Sequence, residues 1–392
     1  MRILAATTAG AGHFAGLLPF ARASAEVGHE VRVAAPRSFA AAVRQAGFVH
    51  EVLDEPDPAA MGATFGRIPS LSMREADELV VQDVFGRLDL QAALPRMREI
   101  LDRWSPDVVL REPAELASYV AAQERDIPHV QTNIGLSSVD DLLLPLLEAP
   151  LAEVGTDTAG LLTAQRWTVT PPTFDQASLL ARGSLTHARD TADTRTARPL
   201  PDWWPGHDGP IVYLTFGSVA ASVGYFPTFY GGAVDQLHEL PVRVLLTIGE
   251  AGDAAALGAV PANVHVERWW PQEDVLANAA LLISHGGFGT TQAALVTAVP
   301  QIVIPLFSFD QFANAERVEA TGLGVALVDR GAREQRAGDL VPHGPRAVGR
   351  LAAAVTTVLR DEAARAACGR LAAEVEALPP ATECLVALAA TM

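Results

Sequence analysis

The sequence predicts an α/β protein of two doubly wound domains, each a parallel sheet with helices on both faces, facing one another across a cleft. Three observations predict this. Short apolar runs alternate with helical patterns along most of the chain, the rhythm of strand–helix–strand units. The rhythm lapses between Ala181 and Gly209 and then restarts. The length of 392 residues exceeds what one ordinary core holds, so two domains are expected from size alone.

The elements follow in order. An apolar strand, Arg2 to Ala6, runs into a loop holding Gly10, Gly12 and His13. An Ala-rich helical stretch, Leu17 to Val27, leads to a second strand in HEVRVAAP, His29 to Pro36. Two further strands are DVVLRE (Asp107 to Glu112) and HVQTN (His129 to Asn133), with helical segments at Leu90 to Trp104 and Leu116 to Arg125. RPLPDWWPGHDG, Arg198 to Gly209, is rich in Pro and Gly without a period, which marks an interdomain linker. The domains are therefore expected at 1–197 and 210–392, and the last helix is free to pack back on the first domain. Six strand-like runs occupy the second half: IVYLTFGS, RVLLTIG, VHVERWW, LLISHGG, QIVIPLF and GVALV. Ligands of such sheets bind beyond the carboxyl ends of the strands. Glu51 to Asp89 breaks the rhythm and reads either as a variable excursion or as a wall shaped to an apolar substrate. Met61, Phe65, Met73 and Phe85 are its candidate contacts.

Composition narrows the function. Hydrophobic residues make up 49% and charged residues 19%, a well-buried globular balance. A formal net charge of -17 disfavours a nucleic-acid partner and an anionic membrane surface alike. Cys368 and Cys384 give neither a disulfide framework nor metal-site spacing, so a reducing cytoplasm is expected. The N-terminus reads as neither a signal peptide nor a membrane span.

The first loop admits two chemistries. A dinucleotide site wants G-x-G-x-x-G and an acid closing the second strand. Here the third glycine slips to Gly16, and the strand closes on Ala34, Ala35 and Pro36. Both tests fail. His13 instead suits a general base, since a neutral imidazole accepts a hydroxyl proton near pH 7. A carboxylate on its other nitrogen would fix the tautomer and stabilise the cation. Glu112 stands at the end of a strand of the same sheet; Glu115 is a weaker candidate, and Asp107 lies at the wrong end. Asp140 and Asp141 read as a helix start rather than a metal pair.

The second half carries the stronger signal. LLISHGGFGTTQAAL is a buried strand, a glycine turn and a helix start. Gly286, Gly287 and Gly289 let backbone N–H groups approach an anion, and the helix start adds its positive end. His285 and Thr290 can donate to phosphate oxygens. Trp269 and Trp270, followed by Pro271 and Gln272, offer an aromatic to stack on a nucleobase. Asp310 and Gln311 follow QIVIPLF at a strand's carboxyl end and suit sugar hydroxyls.

GxGH after the first strand, GHEVRVAAP, W-x-P-Q, HGGxGT, VPQ-x-V-x-P, DQ-x-x-NA and G-x-G together resemble the family 1 glycosyltransferases of the GT-B fold. The likeness is closest to the actinobacterial branch that glycosylates antibiotics, and it spans the chain. It implies two Rossmann-like domains, an N-terminal one for the acceptor and a C-terminal one for the nucleotide sugar. It implies that His13 is the base and Glu112 its acidic partner, although many relatives place Asp there. Trp269 would stack on the base. His285, Gly287 and Thr290 would hold the diphosphate, with Gly12, Gly217, Ser218, Trp270, Gln272, Gly286 and Gly289 completing the donor set. Asp310 and Gln311 would hold the sugar. UDP-sugar relatives carry a Glu early in the helix after the glycine turn; the matching position here is Ala293, which implies a dTDP-sugar donor. The expected reaction is inverting transfer to a hydroxyl of an apolar natural-product aglycone, without metal or cofactor. UDP-sugar transfer by the same fold, a non-catalytic sugar-nucleotide-binding helper, and sugar-nucleotide epimerisation are the alternatives. Dimerisation is compatible with the sequence and not specified by it.

Overall fold

A computed structural model describes residues 1–191 and 197–390. The chain divides into two compact units. Unit 1 comprises residues 1–68, 75–194 and 377–392; unit 2 comprises 69–74 and 195–376. Residues 192–196, at the end of the expected first domain, lie outside the described residues, as do 391–392.

Unit 1 is built on a seven-stranded, all-parallel sheet. Its strands are β1 (Arg2–Ala6), β2 (Glu30–Pro36), β3 (Val49–Leu53), β4 (Val108–Arg111), β5 (His129–Thr132), β6 (Gln165–Thr168) and β7 (Leu185–His187). Their order is β3-β2-β1-β4-β5-β6-β7. The helices that matter here are α1 (Ala11–Glu26), α2 (Leu90–Trp104), α3 (Ala117–Gln123) and α4 (Asp140–Glu153). Helix α1 closes one face, burying Phe14, Leu17 and Phe20 against β1 and its neighbours. Four strands match the runs read from sequence. The other three escaped it, and β6 shows why. QRWT reads as polar, yet Arg166 is buried, its Nε–H donating to Asp140 at 2.7 Å and its other N–H groups to the carbonyls of Ala164 and Leu161.

Unit 2 holds a six-stranded parallel sheet: β8 (Ile211–Thr215), β9 (Arg243–Thr247), β10 (Val264–Glu267), β11 (Leu281–Ser284), β12 (Gln301–Val303) and β13 (Gly324–Ala326). The order is β10-β9-β8-β11-β12-β13. All six lie in the predicted runs. β8 and β11 are buried along their whole length, which explains their unbroken apolar sequences. Helices α5 (Gln272–Leu276), α6 (Phe288–Val296) and α7 (Phe309–Ala320) follow β10, β11 and β12.

The boundaries depart from those expected in two places, while the last helix packs back on unit 1 as the sequence allowed. The 198–209 stretch, expected as a linker, packs within unit 2. Trp204 is 2% exposed and donates its indole N–H to the Val244 carbonyl, and the Arg198 N–H donates to Asp274. Two adjacent tryptophans carry too much apolar surface to leave in water. Residues 69–74 join unit 2 through a bridge from Ser72 to Arg336. The last helix, α8 (Ala381–Ala389), lies in unit 1 and buries Ala381, Cys384, Leu385 and Leu388 in the core that α1 covers. The Glu51–Asp89 excursion is ordered as the end of β3, a helix at Pro58–Phe65, a helix at Met73–Leu79 and a ten-residue π-helix, Val80–Asp89. Among the described residues no helix is long and apolar enough to cross a membrane.

Asp140 and Asp141 have separate duties. Asp141 accepts the N–H groups of Leu179 and Leu180. Asp140 accepts from Arg166 and from the Gln131 amide, whose oxygen takes an N–H of the buried Arg111. Removing the carboxylate would strand a buried cation. Asp140→Ala is expected to lower stability by about 3–5 kcal/mol, read from chemical denaturation midpoints.

Candidate active site

In unit 1 the parallel pairing of β1 with β4 aligns their carboxyl ends, with Ala6 opposite Arg111 and the Glu112 N–H donating to the Ala6 carbonyl. The loop leaving β1 therefore lies beside the loop leaving β4. His13 is in the first turn of α1, and its Nδ1 lies 3.1 Å from Oε2 of Glu112, with the ring N–H bent away from a straight approach. Glu112 is fully buried, while His13 keeps part of its ring in solvent. The carboxylate accepts the Thr8 N–H and the Thr8 hydroxyl, each at 3.0 Å, and the Ala114 N–H at 2.7 Å. Burial alone would push this carboxyl up, but the His13 charge and these donors outweigh it and hold Glu112 below the ordinary carboxylate range. Phe85 meets the His13 ring edge-on at 5.5 Å. Glu115 does not partner His13. Its carboxylate caps α3 by accepting the Ser118 N–H, and burial pushes it up to about 7.

In unit 2 the same alignment recurs. β8 pairs β11 with Thr215 opposite Ser284, so Gly217 and His285 emerge side by side. His285 is 9% exposed, and burial pulls its imidazole down to about 4, so it is neutral at pH 7. Its ring is sandwiched between two glycines. A Cβ on Gly217 or on Gly287 would lie 2.6 Å from it, and Gly217 also has a φ of +74. Neither ring nitrogen has a hydrogen-bond partner among the described residues. A buried donor left open inside a glycine turn at the start of α6 is placed for an anion. Gln272 donates to the Thr290 hydroxyl oxygen at 3.0 Å, which leaves the Thr290 proton free to point outward. Gly289 lies in the first turn of α6, and Ser218 is exposed just past Gly217. The Asn314 amide holds the Gly286 carbonyl at 2.8 Å.

Several predicted residues also make contacts within the protein. Trp269 is 65% exposed, but Trp270 turns inward and meets Trp203 edge-on at 4.8 Å, within a cluster that also packs Ala293. The Gln311 oxygen accepts the N–H groups of Leu306 and Phe307 and so holds the loop after β12. Asp310 accepts from the Ser308 hydroxyl at the start of α7. Met73 is 1% exposed and belongs to the segment 69–74 of unit 2. Met61 is half-buried and Phe65 exposed on the Pro58–Phe65 helix. Thr8 and Asp89 stand around the pair unannounced by any motif, although a threonine directly after a strand is a ready donor to an acid one strand away.

Erythromycin biosynthesis protein CIII-like domains match the chain, the N-terminal one over residues 22–204 and the C-terminal one over 232–391. L-demethylnoviosyl transferase of Streptomyces niveus is 31% identical, covering 95% of this chain and 94% of its own. Among solved structures, the glycosyltransferase SnogD of Streptomyces nogalater aligns with a TM-score of 0.72 at 24% identity, over 100% of this chain and 99% of that one. Spinosyn rhamnosyltransferase SpnG complexed with thymidine diphosphate aligns at 0.77 and 24%, over 99% and 100%. The two parallel sheets have the GT-B fold, and the family models and the 31% identical relative make the chain a glycosyltransferase. The chain belongs to the erythromycin CIII-like family within the actinobacterial antibiotic branch of family 1.

The glycine contacts separate packing from permissiveness. Gly217→Ala and Gly287→Ala are each expected to displace His285 and weaken nucleoside-diphosphate binding at least tenfold by calorimetry. Gly12→Ala, with open space around its Cβ, is expected to leave binding and stability unchanged. His285 also carries a pH signature. Between its ordinary 6.5 and about 4, the unfolded chain binds the proton that the folded one refuses. Stability therefore falls as pH drops through that window, and His285→Gln is expected to flatten the fall in denaturation midpoints between pH 7 and pH 5.

Proposed function

We propose that this enzyme transfers a sugar from a dTDP-sugar to a hydroxyl of a natural-product aglycone with inversion and without a metal. The observation that carries the reading is the His13–Glu112 pair, a partly exposed imidazole held against a buried, ionised carboxylate. Glu112 orients the ring and stabilises the cation that forms when His13 takes the acceptor proton. The acceptor oxygen then bonds to C1 of the sugar while the C1–oxygen bond to the diphosphate breaks on the opposite face. The departing charge falls to the His285–Thr290 turn, with its amides, the start of α6, the Thr290 hydroxyl and one imidazole N–H. Neutral donors suffice for this, and no cation is required. Phe85 beside His13 supplies apolar surface for the acceptor.

Relatives support the substrates. The 31% identical protein is named a demethylnoviosyl transferase, SpnG has been solved with thymidine diphosphate and with spinosyn aglycone, and SsfS6 with thymidine diphosphate. The residues support the donor choice. Ala293 packs against the same buried cluster as Trp203 and Trp270 and presents no acceptor to a ribose 2′-hydroxyl, so a 2′-deoxy nucleotide loses nothing there.

Calorimetric titration with dTDP, UDP and NAD⁺ tests the donor. dTDP is expected to bind well above UDP, and Ala293→Glu to narrow the gap. Equal binding of dTDP and UDP would remove the donor argument, and binding of NAD⁺ alone would overturn the reading of His13. His13→Ala is expected to keep dTDP affinity and to lose ~10²- to 10⁴-fold in transfer.

A further inference from the structure

A largely buried carboxyl group without a partner faces the His13–Glu112 pair. Asp89 ends the π-helix Val80–Asp89 and adjoins α2. Among the described residues its carboxylate makes no hydrogen bond or ion pair. The charged residues of its own helix, Asp83 and Arg87, are paired with one another at 2.9 Å. Asp89 lines a small pocket beyond the carboxyl ends of β1 and β4 with Thr7, Thr8, Ala114 and Glu115. Thr8 and Ala114 are the residues whose amides hold Glu112. Four residues earlier, on the same helical face, Phe85 rests against the His13 ring. One face of the π-helix thus delivers two side chains to the pair. π-Helices are rare and concentrate at functional sites, and this one is long.

The groups around Asp89 leave one favourable neighbour. The loop after β3 brings Asp54 and Glu55, and the loop after β4 brings Glu112 and Glu115. All four are acids. Among the described residues that act on it, His13, on α1, is the one whose charge favours the Asp89 anion. Burial and the Glu112 charge push Asp89 up to about 6, which leaves it chiefly ionised at pH 7. Whatever His13 does for the Asp89 anion, the anion does for the His13 cation, because the coupling is mutual.

We propose that Asp89 is a positioning residue that acts through His13, adding a second negative charge that favours the imidazolium formed when His13 takes the acceptor proton. The inference rests on the general-base role given to His13. No new bond is formed or broken by Asp89 itself.

NMR titration of the His13 imidazole tests this in the full chain without donor or acceptor, the resonance being assigned by its loss in His13→Ala. In Asp89→Asn, His13 is expected to titrate at lower pH than in the wild type. Asp89→Ser should give the same displacement, and Asp89→Glu should restore part of it. An unchanged His13 titration in both neutral variants would overturn the proposal. Transfer assays supply the second arm. Asp89→Asn is expected to lower kcat roughly tenfold at pH 7 with donor KM unchanged, the scale of one pKa unit in the base. A kcat loss equal at every pH, with the titration unmoved, would mark a packing role and overturn it too. If the titration shifts but His13→Ala transfers as the wild type does, the base reading falls, and the catalytic part of this proposal with it.

Discussion

In each unit the candidate site sits where the strand order of a parallel sheet reverses. In unit 1 the chain winds from β1 outward to β2 and β3, then returns to place β4 on the other side of β1. Unit 2 repeats this with β8, β9, β10 and β11. At such a switch point the loops leaving the two central strands diverge and open a crevice beyond their carboxyl ends. That constraint fixes which residues meet. Ala6 opposite Arg111 makes Glu112 a neighbour of Thr8 and His13, and Thr215 opposite Ser284 makes Gly217 a neighbour of His285. Nothing in the spacing of His13 and Glu112 along the chain would bring them together without it.

The two crevices are furnished in opposite ways, and the difference follows from charge. Unit 1 buries ions. Arg111, just before Glu112, runs beneath the turn and donates to the Pro113 and Glu115 carbonyls, so the turn that presents Glu112 is clamped from below. Such burial is costly, and Arg111, Glu112, Asp140 and Arg166 are each met by hydrogen-bond partners that offset the loss of water. Unit 2 keeps its crevice neutral. Hydroxyls of Thr215, Thr247 and Tyr213 form a buried chain beneath Gly217, and a neutral His285 and bare glycine amides face outward. A base needs a carboxylate to carry the cation it becomes. A cradle for a diphosphate gains from the absence of carboxylates.

Much of this was legible in the sequence, for physical reasons that also explain the gaps. Buried parallel strands read as apolar runs, so β1, β2, β4, β5 and all six strands of unit 2 stood out. β6 did not, because its Arg166 is neutralised by a partner far away in sequence. The glycine turn with His285 was legible because a backbone packed this closely on an imidazole demands small residues in a fixed order. The His13–Glu112 pairing was legible because strand ends are adjacent in such sheets. What side chains do beyond the motif was not. Trp269 and Trp270 are indistinguishable in sequence, yet one faces solvent and the other the core, a choice made by Trp203 from a stretch that looked like a linker. Gln311 reads as a sugar ligand, and nothing in the sequence shows that its oxygen also holds two backbone N–H groups of its own loop. Asp89 belongs to no motif, and only the π-helix brings it to the pair.

Glu112 and Glu115 show how finely the setting decides chemistry. They are three residues apart, both buried, and share the same turn. Glu112 receives three hydrogen bonds and the His13 ring, and stays ionised. Glu115 receives the Ser118 N–H and sits near Glu112, so burial prevails and it rises to about 7. Two fully ionised carboxylates here would repel one another. Letting the less-supported one share a proton near neutrality leaves a single firm negative charge under His13. Environments that push neighbouring acids apart in this way assign their roles. The same logic separates Glu112, whose charge is held in place by donors, from Asp89, whose charge is opposed by every neighbour except the imidazole. The first fixes where the ring sits. The second responds to whether the ring carries a proton.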